Sequence, residues 1–204
     1  MNKRHLDLGC GATPRNPYRA QDLFGVDIRP QLNSPGATIL GADLFREPIP
    51  FEDNLFDSVS AYDFLEHIPR TTITDTGTRF PFVEVMNEIW RVLKSDGLFY
   101  ASTPAFPHPA AFQDPTHVNI ITRQTHLYFT SPQLMGKMYG FKGNFGCLRV
   151  VPVRGGEFEY QPTDSPGWFE GLRLKRRDRR NKNSHLVWEF RAIKPAAQSA
   201  NPAS

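Results

Sequence analysis

The stretch His5-Leu6-Asp7-Leu8-Gly9-Cys10-Gly11-Ala12, followed by Phe24-Gly25-Val26-Asp27-Ile28, decides the fold. Leu6 and Leu8 are apolar with one residue between them, the period of a short buried strand. The chain then breaks into a Gly-x-Gly turn, where the missing Cβ lets the backbone bend sharply and a ligand approach closely. A second strand over residues 24–28 carries Asp27 to its C-terminal end, where one carboxylate can accept from both hydroxyls of a ribose. The run from Gly11 to Asp27 is shorter than the roughly 20 residues of the dinucleotide fingerprint. Pro14 stands where the third glycine of that fingerprint belongs. The turn therefore suits a nucleoside without phosphates better than a pyrophosphate.

Working outward, residues 38–42 read as a third strand ending at Asp43-Leu44, and residues 56–62 as a fourth, buried one. The connection 12–22 is broken by Pro14 and Pro17, so a crossover helix there is expected to be short and to begin near Tyr18. Residues 46–51 are a proline-punctuated loop, and 69–81 form a Thr- and Asp-rich loop expected to be mobile. Over 82–94, Phe82, Met86, Ile89, Trp90 and Leu93 fall on one face of a helix, with Gly97 placed to stop it. Residues 98–103 make a fifth strand, 131–139 a short helix, and 147–154 and 186–193 two final strands. Strands alternating with crossovers predict a mostly parallel α/β sheet whose ligands bind beyond the C-terminal strand ends. One domain over 1–194 is expected, with insertions at 104–130 and 155–185 near the active-site rim and a disordered small-residue tail at 195–204.

In this order the segments resemble the class I S-adenosylmethionine (SAM) dependent methyltransferases. Leu6-Asp7-Leu8-Gly9-Cys10-Gly11 is similar to the first motif of that family, Gly25-Val26-Asp27-Ile28 to its acidic second-strand motif, and Ala42-Asp43-Leu44 to its adenine-side motif. Phe56-Asp57-Ser58-Val59, Leu65-Glu66-His67-Ile68 and the run from Glu88 to Leu98 resemble the fourth-strand and post-helix motifs. The resemblance covers roughly residues 5 to 105 and is nearest to the small-molecule subgroup. It implies a Rossmann-like, three-layer α/β/α sheet of about seven strands with the last one antiparallel, and SAM as cofactor.

The same resemblance implies site residues. Asp7, Gly9, Cys10 and Gly11 are expected at the methionine end of the cofactor, with the Asp7 carboxylate receiving its ammonium. Asp27, followed by Ile28, is expected on the ribose, and Asp43 with Leu44 beside the adenine, unless Asp43 only caps a turn. Tyr62, Asp63, Phe64 and His67 follow the fourth strand and should line the junction of cofactor and acceptor; an aromatic face of Tyr62 or Phe64 suits a sulfonium. His67 is either a base or a packing histidine. In the insertion, His117 is the preferred base for an acceptor hydroxyl, with Asp114 as the carboxylate that orients it. The competing reading is that Asp114 caps a turn begun by Pro115. His108, His117, His126 and Asp114 match no compact ligand spacing, so no metal site is expected.

Composition narrows the class. The chain has 204 residues, 39% of them apolar, and no apolar run long enough to span a bilayer. The first strand begins so early that no secretory leader is expected, and Cys10 and Cys147 make no disulfide framework, so a reducing cytoplasm is the expected setting. Net charge is +3, yet residues 173–182 hold seven bases and one acid, so the basicity is local. That segment suits a phosphate, an anionic sugar or a nucleic acid backbone. Nucleic acid is the less favoured partner, because Ala61-Tyr62-Asp63-Phe64 stands where exocyclic-amine methylases carry Asn/Asp-Pro-Pro-Tyr/Phe. The expected acceptor is a small or carbohydrate-like molecule, methylated on oxygen or nitrogen. A SAM-binding protein without catalysis is the reading from another class.

Overall fold

The computed structural model describes residues 2–30, 35–155, 172, 176 and 182–195. Seven strands form one sheet: β1 (Arg4–Leu8), β2 (Asp22–Asp27), β3 (Ala37–Gly41), β4 (Phe56–Tyr62), β7 (Leu93–Pro104), β8 (Phe145–Val153) and β9 (His185–Ala192). Their spatial order is β3-β2-β1-β4-β7-β9-β8. The first five pair in parallel, and β9 runs antiparallel to both β7 and β8. The last strand in the chain is thus the antiparallel one. Among the described residues no helix is long and apolar enough to cross a membrane.

The alternation within β1 shows how the sheet is layered. Leu6 and Leu8 enter the main hydrophobic core with Val59, Ala61, Phe99, Ala101, Trp188 and Phe190. That face is covered by helix α1 (Pro81–Val92), whose Phe82, Met86 and Ile89 are buried against it. His5 and Asp7 point the other way. His5 bonds Ser58 Oγ at 2.7 Å and Ser60 Oγ at 2.9 Å, so both ring nitrogens are used. Burial pushes the His5 imidazole down to about 3, which keeps it neutral. This second face is polar near β1. Toward β9 it holds Tyr62, Tyr100, Val153 and Val187, and Tyr18 donates to Glu189 at 2.9 Å.

Several expectations are corrected here. The crossover 9–21 holds no helix, only turns. Asn16 closes it instead: its side chain accepts from Ala20 N–H and donates to Ala20 C=O, both at 2.9 Å, as a backbone partner would. Residues 69–81 are not a plain loop, since strands β5 (Thr72–Thr74) and β6 (Gly77–Arg79) pair there as a hairpin. Helix α1 ends at Val92, before Gly97, because Leu93 turns directly to extended backbone and begins β7. Asp96, not Gly97, takes the left-handed conformation in that connection. The segment 131–139 holds only a short 3-10 turn over Met135–Tyr139. Insertion 104–130 contains a one-turn helix, α2 (Ala110–Gln113). Most of the basic segment 173–182, and the tail 196–204, lie outside the described residues.

Candidate active site

The glycine turn sits where β1, β2 and β4 end together. Gly9 and Gly11 both have positive φ, 64° and 57°, a conformation that disfavours side chains. A Cβ on Gly9 would lie 2.7 Å from Cδ2 of Phe64, so the Phe64 ring rests directly on the turn. Beside Gly11 there is open space: nothing lies within 4 Å of where a Cβ would stand. Gly9 N–H and Cys10 N–H both reach Val26 C=O, which ties the turn to β2. Gly25 matters in the same way, though the sequence reading gave it no such role. A Cβ there would lie 2.5 Å from Cys10 Sγ and 2.8 Å from Pro14 Cγ. Pro14 is therefore a packing residue that closes the turn over β2, which explains why no third glycine is needed. The Cys10 thiol is buried, and burial pushes it up to about 12, so it is no nucleophile.

Asp27 stands at the end of β2, half-buried. Its Oδ2 accepts from Gly11 N–H and its Oδ1 from Arg29 N–H, both at 2.9 Å. Asp43 Oδ1 accepts from Phe45 N–H at 3.1 Å, while its backbone carbonyl accepts from Arg46 and Glu47, so turn capping is one role of this residue. Leu44 is buried in the core and Ile28 is exposed.

Asp7 is fully enclosed, with Oδ1 taking the Ser60 hydroxyl at 2.5 Å and Oδ2 the Arg15 N–H at 2.8 Å. Burial pushes this carboxyl up to about 6. In this arrangement each Asp7 oxygen takes one donor from the chain itself, so the carboxyl braces the turn from inside. Tyr62 is also enclosed: its ring packs on Tyr100, and the Arg15 guanidinium lies 4.7 Å from its centroid. Phe64, stacked 6.5 Å from Phe45, is the aromatic that meets the turn.

Beside the turn, the ends of β4 and β7 and the start of β9 converge. Asp63 has a φ of 48°, sparsely populated for a non-glycine residue. Its Oδ1 lies 3.1 Å from His185 Nε2, and His185 Nδ1 lies 2.8 Å from Ser184 Oγ. Glu66 is buried beside them. Its Oε2 accepts from Thr103 Oγ1 at 2.8 Å, and burial pushes the carboxyl up to about 7. His117 arrives from the insertion because Val118 and Asn119 donate to the Glu66 carbonyl and Asn119 Nδ2 to Leu65 C=O. Its Nε2 then lies 3.9 Å from Glu66 Oε1, and its ring meets His67 edge-on at 4.9 Å.

Asp114 lies in the same corner. It is exposed and caps its own turn, taking Thr116 N–H at 2.7 Å and Thr116 Oγ1 at 2.6 Å. A second carboxylate, Glu66, stands beside His117, and the charge of Asp114 also feels His117 and His67. His185 and Glu66 are the residues that sequence reasoning missed. The Glu66-His67 pair was visible within the fourth-strand motif, whereas His185 lies in a final strand and carries no local motif.

The cavity of about 400 Å³ lies apart from this rim, lined by Leu44, Arg46, Ile49, Glu88, Trp90 and Arg91. Neither the glycine turn nor Asp27 borders it, so volume alone does not locate the chemistry.

A seven-stranded sheet of this order, with a Gly-x-Gly turn after β1 and an acid ending β2, defines the class I SAM-dependent methyltransferase fold. Residues 6–101 match the model of a methyltransferase domain. No curated protein matches it. Among solved structures it is similar to a SAM-dependent methyltransferase from Archaeoglobus fulgidus, at 13% identity and a TM-score of 0.53, covering 93% of this chain and 86% of that one. A geranyl diphosphate methyltransferase in complex with SAM gives 13% and 0.56, covering 94% and 78%. The YcgJ protein of Bacillus subtilis gives 15% and 0.52, covering 96% and 93%. The chain is thus a SAM-dependent methyltransferase, and the turn fits that cofactor: the open space beside Gly11 and the half-buried Asp27 carboxylate offer a nucleoside a surface without phosphate-binding features.

Proposed function

We propose that the chain transfers the methyl group of SAM to an oxygen or nitrogen of a small or carbohydrate-like acceptor held at the Asp63–Glu66–His117 corner. The observation that carries this reading is the convergence itself. The strand ends bring Asp63, Glu66, Thr103, His117 and His185 together on the sheet edge that also holds the glycine turn.

The bound cofactor supplies an already electrophilic methyl group on a sulfonium. The chain's task is then to hold the two partners in line and manage a proton. Gly9, Cys10 and Gly11 present backbone to the cofactor, Asp27 takes the ribose hydroxyls with Ile28 beside it, and Asp43 with Leu44 borders the adenine. Phe64 lies over the turn, and Asp63 faces both ligands. His117, with Glu66 behind it, accepts the proton of a hydroxyl acceptor at Nε2. The two cysteines are both free, which supports a reducing, cytoplasmic setting.

Calorimetry with S-adenosylhomocysteine tests the cofactor half, and labelled SAM with fractionated small molecules tests the acceptor half. Binding that is abolished by Asp27→Ala, and label transferred to a small-molecule fraction, support the reading. No binding by the unaltered chain, or label only on RNA, defeats it. The RNA alternative rests on the seven bases in residues 173–182 and predicts steeply salt-dependent binding. A non-catalytic sensor predicts binding with no label transferred at all.

A further inference from the structure

Glu66, His67 and His117 each offer a ligand atom, and these atoms all lie within 4.8 Å of one another. We infer that this triangle is a binding site for a divalent transition-metal ion of the zinc, manganese or cobalt type. The inference goes beyond methyl transfer, and the ion binds whether or not the acceptor has been correctly identified.

Three features point to an ion rather than to a chance meeting of polar groups. Glu66 is 1% exposed, yet its Oε1 is enclosed with no hydrogen-bond partner, and it lies 3.9 Å from His117 Nε2. Buried carboxylate oxygens are rarely left so. His67 and Glu66 are already oriented as metal ligands are, whereas the second ring nitrogen of His117, Nδ1, is buried without a hydrogen-bond partner. His67 Nδ1 is held by the hydroxyl of Thr116 at 2.9 Å and by its carbonyl at 3.3 Å, leaving the other ring nitrogen for an ion. Thr116 is held in turn by Asp114. Glu66 Oε2 is fixed by Thr103, leaving Oε1. A ring nitrogen donating to an oxygen behind it, and a ligating carboxylate bonded at its other oxygen, are the usual supports of a metal's ligands. Two imidazoles and one carboxylate form a donor set that suits such ions and leaves coordination positions for water or an acceptor oxygen.

The spacing is close to what an ion needs. Ligand atoms around a tetrahedral ion with bonds of about 2.1 Å stand about 3.4 Å apart. Small rotations of two imidazoles bring the present triangle to that size. An ion here ties insertion 104–130 to the end of β4, and in the loaded chain His117 serves as a ligand rather than as a base. The sequence reading expected no metal because it compared His108, His126 and Asp114 with His117. None of those three belongs to the triangle.

The test uses the untagged full-length chain, stripped with a chelator and then titrated with Zn²⁺, Mn²⁺ and Co²⁺ by calorimetry. One ion per chain is expected, with visible Co²⁺ absorption reporting nitrogen ligation. His67→Gln and Glu66→Gln should each weaken binding at least tenfold while S-adenosylhomocysteine binding persists. Thr116→Val keeps all three ligand atoms, removes the hydroxyl that links His67 to Asp114 and leaves the ring only the carbonyl at 3.3 Å, so it should weaken binding severalfold even if a ligand variant folds poorly. No stoichiometric ion, or ion binding unchanged in these variants, overturns the inference. A protonated Glu66 donating to His117 would give that negative result. Loss of S-adenosylhomocysteine binding in the unaltered chain instead defeats the cofactor reading and leaves the ion site standing.

Discussion

Phe64 lies on Gly9, with Cδ2 of its ring 2.7 Å from where a Cβ on that glycine would stand. Gly11, two residues on, has a similar positive φ but open space beside it. The two glycines therefore separate strain from collision. Gly11→Ala should cost about 1–2 kcal/mol for the left-handed backbone alone. Gly9→Ala adds a clash with an aromatic ring and should cost roughly 1–3 kcal/mol more. It should also displace Phe64 and weaken S-adenosylhomocysteine binding more than tenfold. Urea unfolding and calorimetry on both variants check this; equal effects would mean that Phe64 does not brace the turn.

Asp27 joins the end of β2 to the turn through Gly11 N–H. Asp27→Asn keeps one carbonyl oxygen for that amide but loses the charge and one acceptor for the ribose. Asp27→Ala loses both. A charge-assisted hydrogen bond contributes about 1.5–3 kcal/mol, so the alanine variant should bind S-adenosylhomocysteine roughly 10- to 150-fold more weakly. The asparagine variant should fall between it and the wild type. Calorimetry at fixed salt measures both, and an unchanged affinity would remove Asp27 from the cofactor site.

Asp7 should show itself in the pH dependence of stability. Burial holds its carboxyl up at about 6 against an unfolded value near 3.8, opposed by the Ser60 hydroxyl and the Arg15 amide. An acid raised on folding contributes stability that is fully present below the unfolded value and is lost as pH rises through the folded one. Asp7→Asn does not titrate. The stability of the wild type relative to that variant should therefore fall by about 3 kcal/mol between pH 2.5 and pH 8, mostly between pH 4 and pH 6. Urea unfolding across that range checks it, and a difference independent of pH would show that burial does not control this group.

Much of the fold was legible because strand period and turn chemistry are local. Leu6 and Leu8 announce one face of β1, and Gly9 and Gly11 announce its end. The unlike faces of β1 were less legible: His5 and Asp7 read as polar residues in a strand, and only pairing with Ser58 and Ser60 shows that they are buried. The absent crossover helix was half visible in Pro14 and Pro17, but the Asn16–Ala20 closure that replaces it was not. The acceptor side was the least legible. His117 reaches Glu66 through backbone amides of Val118 and Asn119, a bond any residue can make, so no side-chain pattern records it. Asp114 is the nearest carboxylate in sequence to His117, yet its side chain binds Thr116 and through it His67, while Glu66 Oε1 lies 3.9 Å from His117 Nε2.

Arg91 joins the loop over residues 49–53 to helix α1. Its Nε and Nη2 take the two oxygens of Glu88 at 2.9 and 2.6 Å. Nη1 donates to Phe51 C=O at 2.8 Å and Asp53 at 2.7 Å, and Nη2 to Ile49 C=O at 2.8 Å. Pro48 and Pro50 flank Ile49 and bring no N–H of their own; Phe51 N–H reaches the Ile49 carbonyl at 2.7 Å, and Arg91 supplies further donors to the Ile49 and Phe51 carbonyls. A planar fork with five donors meets all these acceptors; an ammonium does not. Arg91→Lys should therefore rescue little, and both Arg91→Lys and Arg91→Met should lose about 2–3 kcal/mol. For a chain of this size that corresponds to a melting temperature lower by roughly 4–12 °C. Thermal unfolding of the three proteins checks it. If the lysine variant melts with the wild type, charge rather than the forked geometry holds the loop.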